Sequence, residues 1–285
     1  MPAIRHHNVT VEGLKVFVRE AGDPTRLTLL LLPGYPSSTR AYVRLMDRLA
    51  IKWHTVAIDY PGFGSSEPLP GEPTFDDLAR VTGKTIDALE IGEYAVYMFD
   101  FGAPVGFRIA LEHDRRIRAI VTQNGNAYTD GFGPGVAALA EWWKDKQAGQ
   151  TTVDGFVSIE GTRAQWQAGA RDPEYIDPEQ ALADQLVLDL PGRADYMKAV
   201  LWDYQNNPPH YPDWQAWLRD RRPALLAVWG KNDPFFIPAG AQAYQRDVPD
   251  AEIVLLDTGH FAIEAEADEI ATRIATFLAK TFTTG

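Results

Sequence analysis

The sequence predicts an α/β architecture, a mostly parallel, doubly wound sheet interrupted by one helical insertion. Two observations carry that reading. Short apolar runs bounded by Gly, Pro or Asp recur at 15–19, 27–32, 55–58, 94–99, 119–122, 225–229 and 253–256, with segments of helical spacing between them. The alternation then stops between residues 126 and 222, where no convincing buried strand occurs.

The first elements, linked by Glu12-Gly13, read as an antiparallel hairpin leading into the sheet. Five of the later runs are almost continuously hydrophobic, which is what strands buried on both faces require. In 75–89 the residues Leu78, Val81, Thr82, Ile86 and Leu89 fall on one helical stripe, and Ile270, Ile274, Phe277 and Leu278 do the same near the end. The interrupted stretch carries Pro at 134, 173, 178, 191, 208, 209 and 212 and holds six of the eight Trp residues. Trp142, Trp143, Trp202, Trp214 and Trp217 sit in segments bounded by Gly and Pro, so the stretch is expected to be helical. The expected organisation is a core from 1–126 and 222–285 with a helical cap, 127–221, inserted after the sixth strand.

Composition narrows the function. At about 150 residues per domain, the 285 residues fit two units or one large domain with an insertion. Apolar residues make up 45% and charged residues 23%, the balance of a soluble globular chain. With no Cys, disulfides, zinc-thiolate sites, iron-sulfur clusters and a Cys nucleophile are all excluded. A net charge of −12 is the wrong sign for phosphate backbones or anionic membranes, so neither nucleic acid nor membrane is an expected partner. No run approaches a membrane span and the first residues lack a signal-peptide pattern, which places the protein in the cytoplasm. Monomer and homodimer are both left open.

Open parallel sheets build sites beyond the carboxyl ends of their strands. The run 94–99 ends in Asp100-Phe101-Gly102 and then a helix-like segment, the form of a nucleophile elbow, with Met98 where the usual elbow has Gly. Two later runs end in Gly230-Lys231-Asn232-Asp233 and in Asp257-Thr258-Gly259-His260, which gives the chain order nucleophile, acid, histidine. The other histidines have no such setting: His6 and His7 lie in the tail, His54 begins a strand, His113 ends a helix and His210 lies in a Pro-rich turn. The turn Pro33-Gly34-Tyr35-Pro36 is placed to aim the Tyr35 N–H at the site, paired with that of Phe101 as an oxyanion hole. Sequence motifs for nucleotide or metal sites are missing, so no cofactor is called for.

With these residues in view, the chain resembles α/β-hydrolases of the epoxide hydrolase and haloalkane dehalogenase group over nearly its whole length. The resemblance rests on Leu32 to Pro36, on Asp59-Tyr60-Pro61-Gly62-Phe63-Gly64-Ser65-Ser66, on Asp100-Phe101-Gly102, on Trp229-Gly230-Lys231-Asn232-Asp233 and on Gly259-His260-Phe261. It implies the α/β-hydrolase fold, Asp100 as nucleophile, His260 as the base that activates water and Asp233 as its orienting acid. The chain departs from the group's pattern at Pro33, where His is usual. Phe101 and Tyr35 replace the Trp and Asn with which haloalkane dehalogenases hold a halide. Phe101 and Pro104 replace the two arginines with which fluoroacetate dehalogenases hold a carboxylate.

Epoxide hydrolases use cap tyrosines that donate to the ring oxygen, and Leu201-Trp202-Asp203-Tyr204-Gln205 resembles the segment carrying one of them. Tyr204 is therefore the expected donor and Trp166 the expected partner, with Tyr128, Tyr175, Tyr196 and Tyr211 as substitutes. The expected activity is epoxide hydrolysis of a small, neutral, mainly apolar substrate with water as second substrate. Haloalkane dehalogenation is the alternative, followed by a luciferase-like cofactor-free oxygenase or a ligand receptor without turnover.

Overall fold

A computed structural model describes residues 2–282. Its centre is an eight-stranded sheet in the order β1-β2-β4-β3-β5-β6-β7-β8. β1 (Arg5–Val11) and β2 (Leu14–Ala21) form the expected hairpin. Its turn residues Glu12 and Gly13 both have positive φ, 52° and 83°, which matches the right-handed twist of the paired strands. β2 runs antiparallel to β4 (His54–Ile58), and the remainder is parallel: β3 (Thr28–Leu32), β5 (Tyr94–Phe99), β6 (Ile117–Gln123), β7 (Ala224–Gly230) and β8 (Glu252–Leu256). The seven apolar runs thus all became strands. β1, with its polar, partly exposed pattern, has no such run and is legible only through its turn.

Each strand feeds two cores because successive side chains point to opposite faces. Leu30, Leu32, Val96, Met98 and Ile120 face one side. Leu29, Leu31, Tyr97, Phe99 and Val121 face the other. Helix α1 (Val43–Leu49) packs on the second side, and α2 (Phe75–Ala88) and α3 (Gly102–Glu112) cover the first. The α2 stripe falls as the spacing requires, and Thr74 caps the helix by accepting from the Asp77 N–H.

Between β6 and β7 the described chain is helical: α4 (Pro134–Lys144), α5 (Gln150–Phe156), α6 (Ile159–Gln167), α7 (Pro178–Leu188), α8 (Arg193–Asp203) and α9 (Tyr211–Arg221), with short 3₁₀ turns. Pro134, Pro178 and Pro212 start helices, where a missing N–H costs nothing. This insertion lies over the carboxyl ends of the parallel strands, its Leu201 and Tyr204 sharing a cluster with Met98 and Phe101. After β7 come α10 (Ala239–Ala243), α11 (Ala262–Ala265) and α12 (Ala267–Phe282), and α12 lays Ile270, Ile274, Phe277 and Leu278 on the sheet.

Candidate active site

Asp100 sits at the sharp turn from β5 into α3 with φ 51°, a left-handed conformation that costs a non-glycine residue about 1–3 kcal/mol. Close packing fixes the turn. A side chain at Gly102 would run into the Leu32 carbonyl oxygen, and one at Gly34 would come within 2.6 Å of the Asp100 Cβ. Met98, large for its place in the elbow, is accommodated by Gly106 on α3, whose missing side chain leaves room for the thioether. The elbow therefore forms with its small residue supplied from the helix.

The turn after β3 brings the Tyr35 N–H to 2.7 Å from Oδ1 of Asp100. The Phe101 N–H also favours the ionised carboxyl. Without the usual His at Pro33, the loop is held otherwise: the Tyr42 phenol donates to the Leu32 carbonyl at 2.6 Å, and the Tyr35 phenol donates to the Phe156 carbonyl at 3.0 Å. Asp59, after β4, accepts from the backbone N–H groups of Thr39 (2.7 Å) and Ser65 (2.9 Å), which ties the next loop down.

The ends of β7 and β8 deliver Asp233 and His260. His260 Nδ1 lies 2.7 Å from Asp233 Oδ2, and its Nε2 lies 3.7 Å from Asp100 Oδ2, too far for a direct hydrogen bond. All three residues are buried. Burial pushes the Asp100 carboxyl up to about 6, against the stabilising pull of His260 and of the Tyr35 and Phe101 N–H groups. Burial alone would lower His260, but the adjoining Asp233 and Asp100 carboxylates outweigh it and raise its pKa. The sequence-predicted Asp100, His260, Asp233, Tyr35 and Phe101 are thus brought together. Chemically, the site offers a carboxylate with one oxygen cradled by an N–H, and an imidazole oriented by a second carboxylate.

Two orienting residues escaped the sequence reading. Asn124, at the tip of β6 with φ 45°, donates from Nδ2 to Asp233 Oδ2 at 2.7 Å, and accepts the Gly230 N–H at 2.9 Å. Gln123 donates to the His260 carbonyl at 3.0 Å. The signal was present: Gln123-Asn124 is an uncharged polar pair at the end of an apolar strand, at the same sheet edge as the tips that were read.

The insertion supplies the walls. The cavity beside Asp100 is lined by Val136, Leu139, Phe156, Gln165, Leu201 and Tyr204 from it, together with Tyr35, Phe101, Phe235, Phe236 and His260 from the core. Tyr204 is held among aromatic rings, stacked on Trp143 with centroids 6.0 Å apart and 5.6 Å from Phe101. Its burial, chiefly, drives its pKa well above that of an ordinary phenol, so it keeps its proton.

The expectation for Trp166 needs correction. Its indole N–H donates to Asp184 Oδ2 at 2.9 Å and its ring stacks on Phe261 at 3.8 Å, so it lies away from the cavity lining. Adjacent residues on a helix point about 100° apart, and on α6 it is Gln165 that enters the cavity. Three of the substitute tyrosines are directed elsewhere. Tyr128 donates to Asp247, Tyr196 donates to the Pro61 carbonyl, and Tyr175 is exposed. Tyr211 is buried against Tyr204. Among the described residues no group of His, Cys, Asp and Glu is arranged to hold a metal ion, and no helix is long and apolar enough to cross a membrane.

Sheet order, elbow and helical insertion together define an α/β hydrolase. The model of the alpha/beta hydrolase fold family matches residues 28–267, and the chain belongs to that family. It is 39% identical to an uncharacterized hydrolase of Saccharomyces cerevisiae, over 97% of this chain and 98% of that protein. It is also 22% identical to a 2-hydroxy-6-oxononadienedioate/2-hydroxy-6-oxononatrienedioate hydrolase of Escherichia coli, over 97% of this chain and 96% of the relative. Among solved structures, a putative lipase from Acinetobacter baumannii superposes with a TM-score of 0.84 at 18% identity, covering 99% of this chain and 93% of the other. The 2-hydroxy-6-oxo-6-phenylhexa-2,4-dienoate hydrolase of a Rhodococcus species gives 0.82 at 17% identity, covering 98% and 99%. These likenesses bear on the fold; the protein is a hydrolase of that fold.

Proposed function

We propose that this hydrolase opens a neutral, mainly apolar epoxide through a covalent ester on Asp100. The observation that supports it most is a carboxylate at the elbow, with Oδ1 held by the Tyr35 N–H and His260 Nε2 3.7 Å from Oδ2. Asp100 attacks a ring carbon, the carbon–oxygen bond breaks, and the departing alkoxide takes a proton from the phenol of Tyr204, which lines the same cavity. His260 then takes a proton from water, and the hydroxide adds to the ester carbonyl of Asp100. The Tyr35 and Phe101 N–H groups hold the resulting oxyanion. Collapse releases the diol: the proton on His260 goes to the leaving oxygen, and the hydroxide's proton, left on the Asp100 carboxyl, passes to the Tyr204 phenolate, which restores the carboxylate and the phenol. Asp233, fixed by Asn124, keeps the imidazole oriented and stabilises its charge.

Haloalkane dehalogenation is less well supported, because Phe101 and Tyr35 stand where that group holds its halide and the Trp166 indole, which could have served instead, is bonded to Asp184. No cofactor enters the proposed chemistry, and the cytoplasm is the proposed location of a chain without cysteine. Single turnover of an epoxide in ¹⁸O-labelled water tests the scheme. The label is expected in the peptide containing Asp100 and not in the first-formed diol. Label found directly in the diol, with none at Asp100, would mean that water attacks the substrate and would falsify the ester intermediate.

A further inference from the structure

The cavity at Asp100 is small. Its volume of about 30 Å³ has room for about two water molecules, against the roughly 300–1,000 Å³ of ordinary ligand pockets. A second, larger hollow of about 570 Å³ lies on its outer side. The two share Phe156, Gln165 and Phe235 as common walls. Phe156, at the end of α5, and Phe235, just after Asp233, face each other with ring centroids 5.9 Å apart, and both are half-buried, as a partition bordering solvent would be. Phe235 also packs edge to face on His260 at 5.2 Å, so the partition ends at the imidazole.

The outer hollow is apolar; Gly135 and Gly161 let its walls pack closely, on the Phe235 ring and the Gly155 carbonyl, while Gly155 faces open space. Gly135, Gly155, Gly161 and Ala164 line the hollow, and a side chain at Gly155 would meet nothing within 4 Å. Glu160 at its rim disfavours an anionic occupant. Only the smallest molecule fits wholly inside the inner cavity, so a larger substrate reaching Asp100 must leave its bulk beyond the partition.

We propose that Phe156, Gln165 and Phe235 form a gate between the reaction cavity and a binding subsite for a neutral, apolar chain. The substrate's reactive head enters through the gate, and its tail lies in the outer hollow against Gly155 and Ala164. This specificity rests on the epoxide reading above, yet it can be measured without turnover. The probes are 1,2-diols of four to ten carbons, bound to the whole protein and followed by calorimetry. Each methylene fully buried raises affinity about fourfold, so affinity is expected to climb two- to fourfold per carbon along the series.

Ala164 is exposed and lines the outer hollow but not the inner cavity, which makes Ala164→Trp a filling substitution with little risk to folding. It is expected to flatten the chain-length slope while leaving the four-carbon diol unaffected, and Ala164→Leu is expected to do the same in part. Equal affinity along the series for the native protein, or a slope that survives Ala164→Trp with its circular dichroism unchanged, overturns the subsite. Loss of the epoxide reaction with the diol slope intact overturns the reaction instead and leaves the subsite standing.

Discussion

The sheet and the helical insertion contribute to the site in opposite ways. The sheet edge holds Asp100, Asp233 and His260 on short turns whose geometry is set by backbone crowding. Gly102 lies on the Leu32 carbonyl, Gly34 beside Asp100, and Asn124 on Asp233. The insertion contributes large side chains on helix faces: Leu139 on α4, Phe156 on α5, Gln165 on α6, and Tyr204 just after α8. One region fixes polar atoms to within hydrogen-bond tolerance, and the other fixes shape. A substitution in the first should therefore remove steps of a reaction, whereas one in the second should change rates by substrate.

His260→Gln tests the rigid region most sharply. In the proposed scheme the imidazole acts only after the ester forms, so turnover should fall about 10²- to 10⁴-fold while an adduct accumulates on Asp100. Intact mass spectrometry after mixing with substrate reads the adduct directly. Normal turnover would remove His260 from the mechanism.

Tyr204→Phe makes the matching cut in the insertion. Losing a hydrogen-bond donor to a developing oxyanion typically costs on the order of 10²- to 10³-fold. The loss should appear in ester formation, seen as a slower pre-steady-state phase, with ester hydrolysis unchanged. Equal slowing of both phases would assign Tyr204 to general packing.

The pH profile separates the two steps within the rigid region. Ester formation needs the Asp100 carboxylate, whose pKa stands near 6, so its rate should fall about tenfold per unit below that value. Ester hydrolysis needs neutral imidazole; the ester removes the Asp100 charge, but Asp233, the stronger of the two carboxylates that raise the His260 pKa, stays beside it, so hydrolysis should fail at a higher pH than formation does. The ester is then expected to accumulate as pH drops through this window. Asp100 and His260 interact in the free protein, so the limb for ester formation reports the pair, whereas the limb for hydrolysis reports His260 beside Asp233.

Trp166→Phe should have the smallest effect on rate, at most a few-fold, because its indole N–H serves Asp184 and not the cavity. Its cost should fall on stability. Burial holds the Asp184 carboxyl up to about 7, and the lost N–H removes a group that favours its ionised form. A carboxyl raised in the folded state has a stability contribution that is full below the ordinary carboxylate pKa and is lost as pH rises through the folded value. The variant's Tm deficit should therefore be larger at pH 8 than at pH 5. A deficit independent of pH would separate Trp166 from Asp184.

The strands were legible because burial on both faces leaves an apolar run, and the tips because Gly, Pro and Asp end each run. The match was best for β5, read at 94–99 and found at Tyr94–Phe99. The residues proposed to carry the chemistry sit directly on those tips, which is why Asp100, Asp233 and His260 lie side by side. Asn124 and Gln123 lay on an equally readable tip but carry no charge to attract notice.

The sequence by itself determined the alternation of elements, the sheet with its late insertion, and the strand tips that carry polar groups. Those features are local, written in periodicity and in residues that break it. Only the tertiary structure decided which way the insertion's side chains face. It turned Gln165 toward the cavity and Trp166 toward Asp184. It buried Tyr211 against Tyr204, and it set Phe156 across from Phe235. On a helix covered on several sides, a step of one residue is about 100° of direction, and the packing partners that choose among those directions lie far away in the chain.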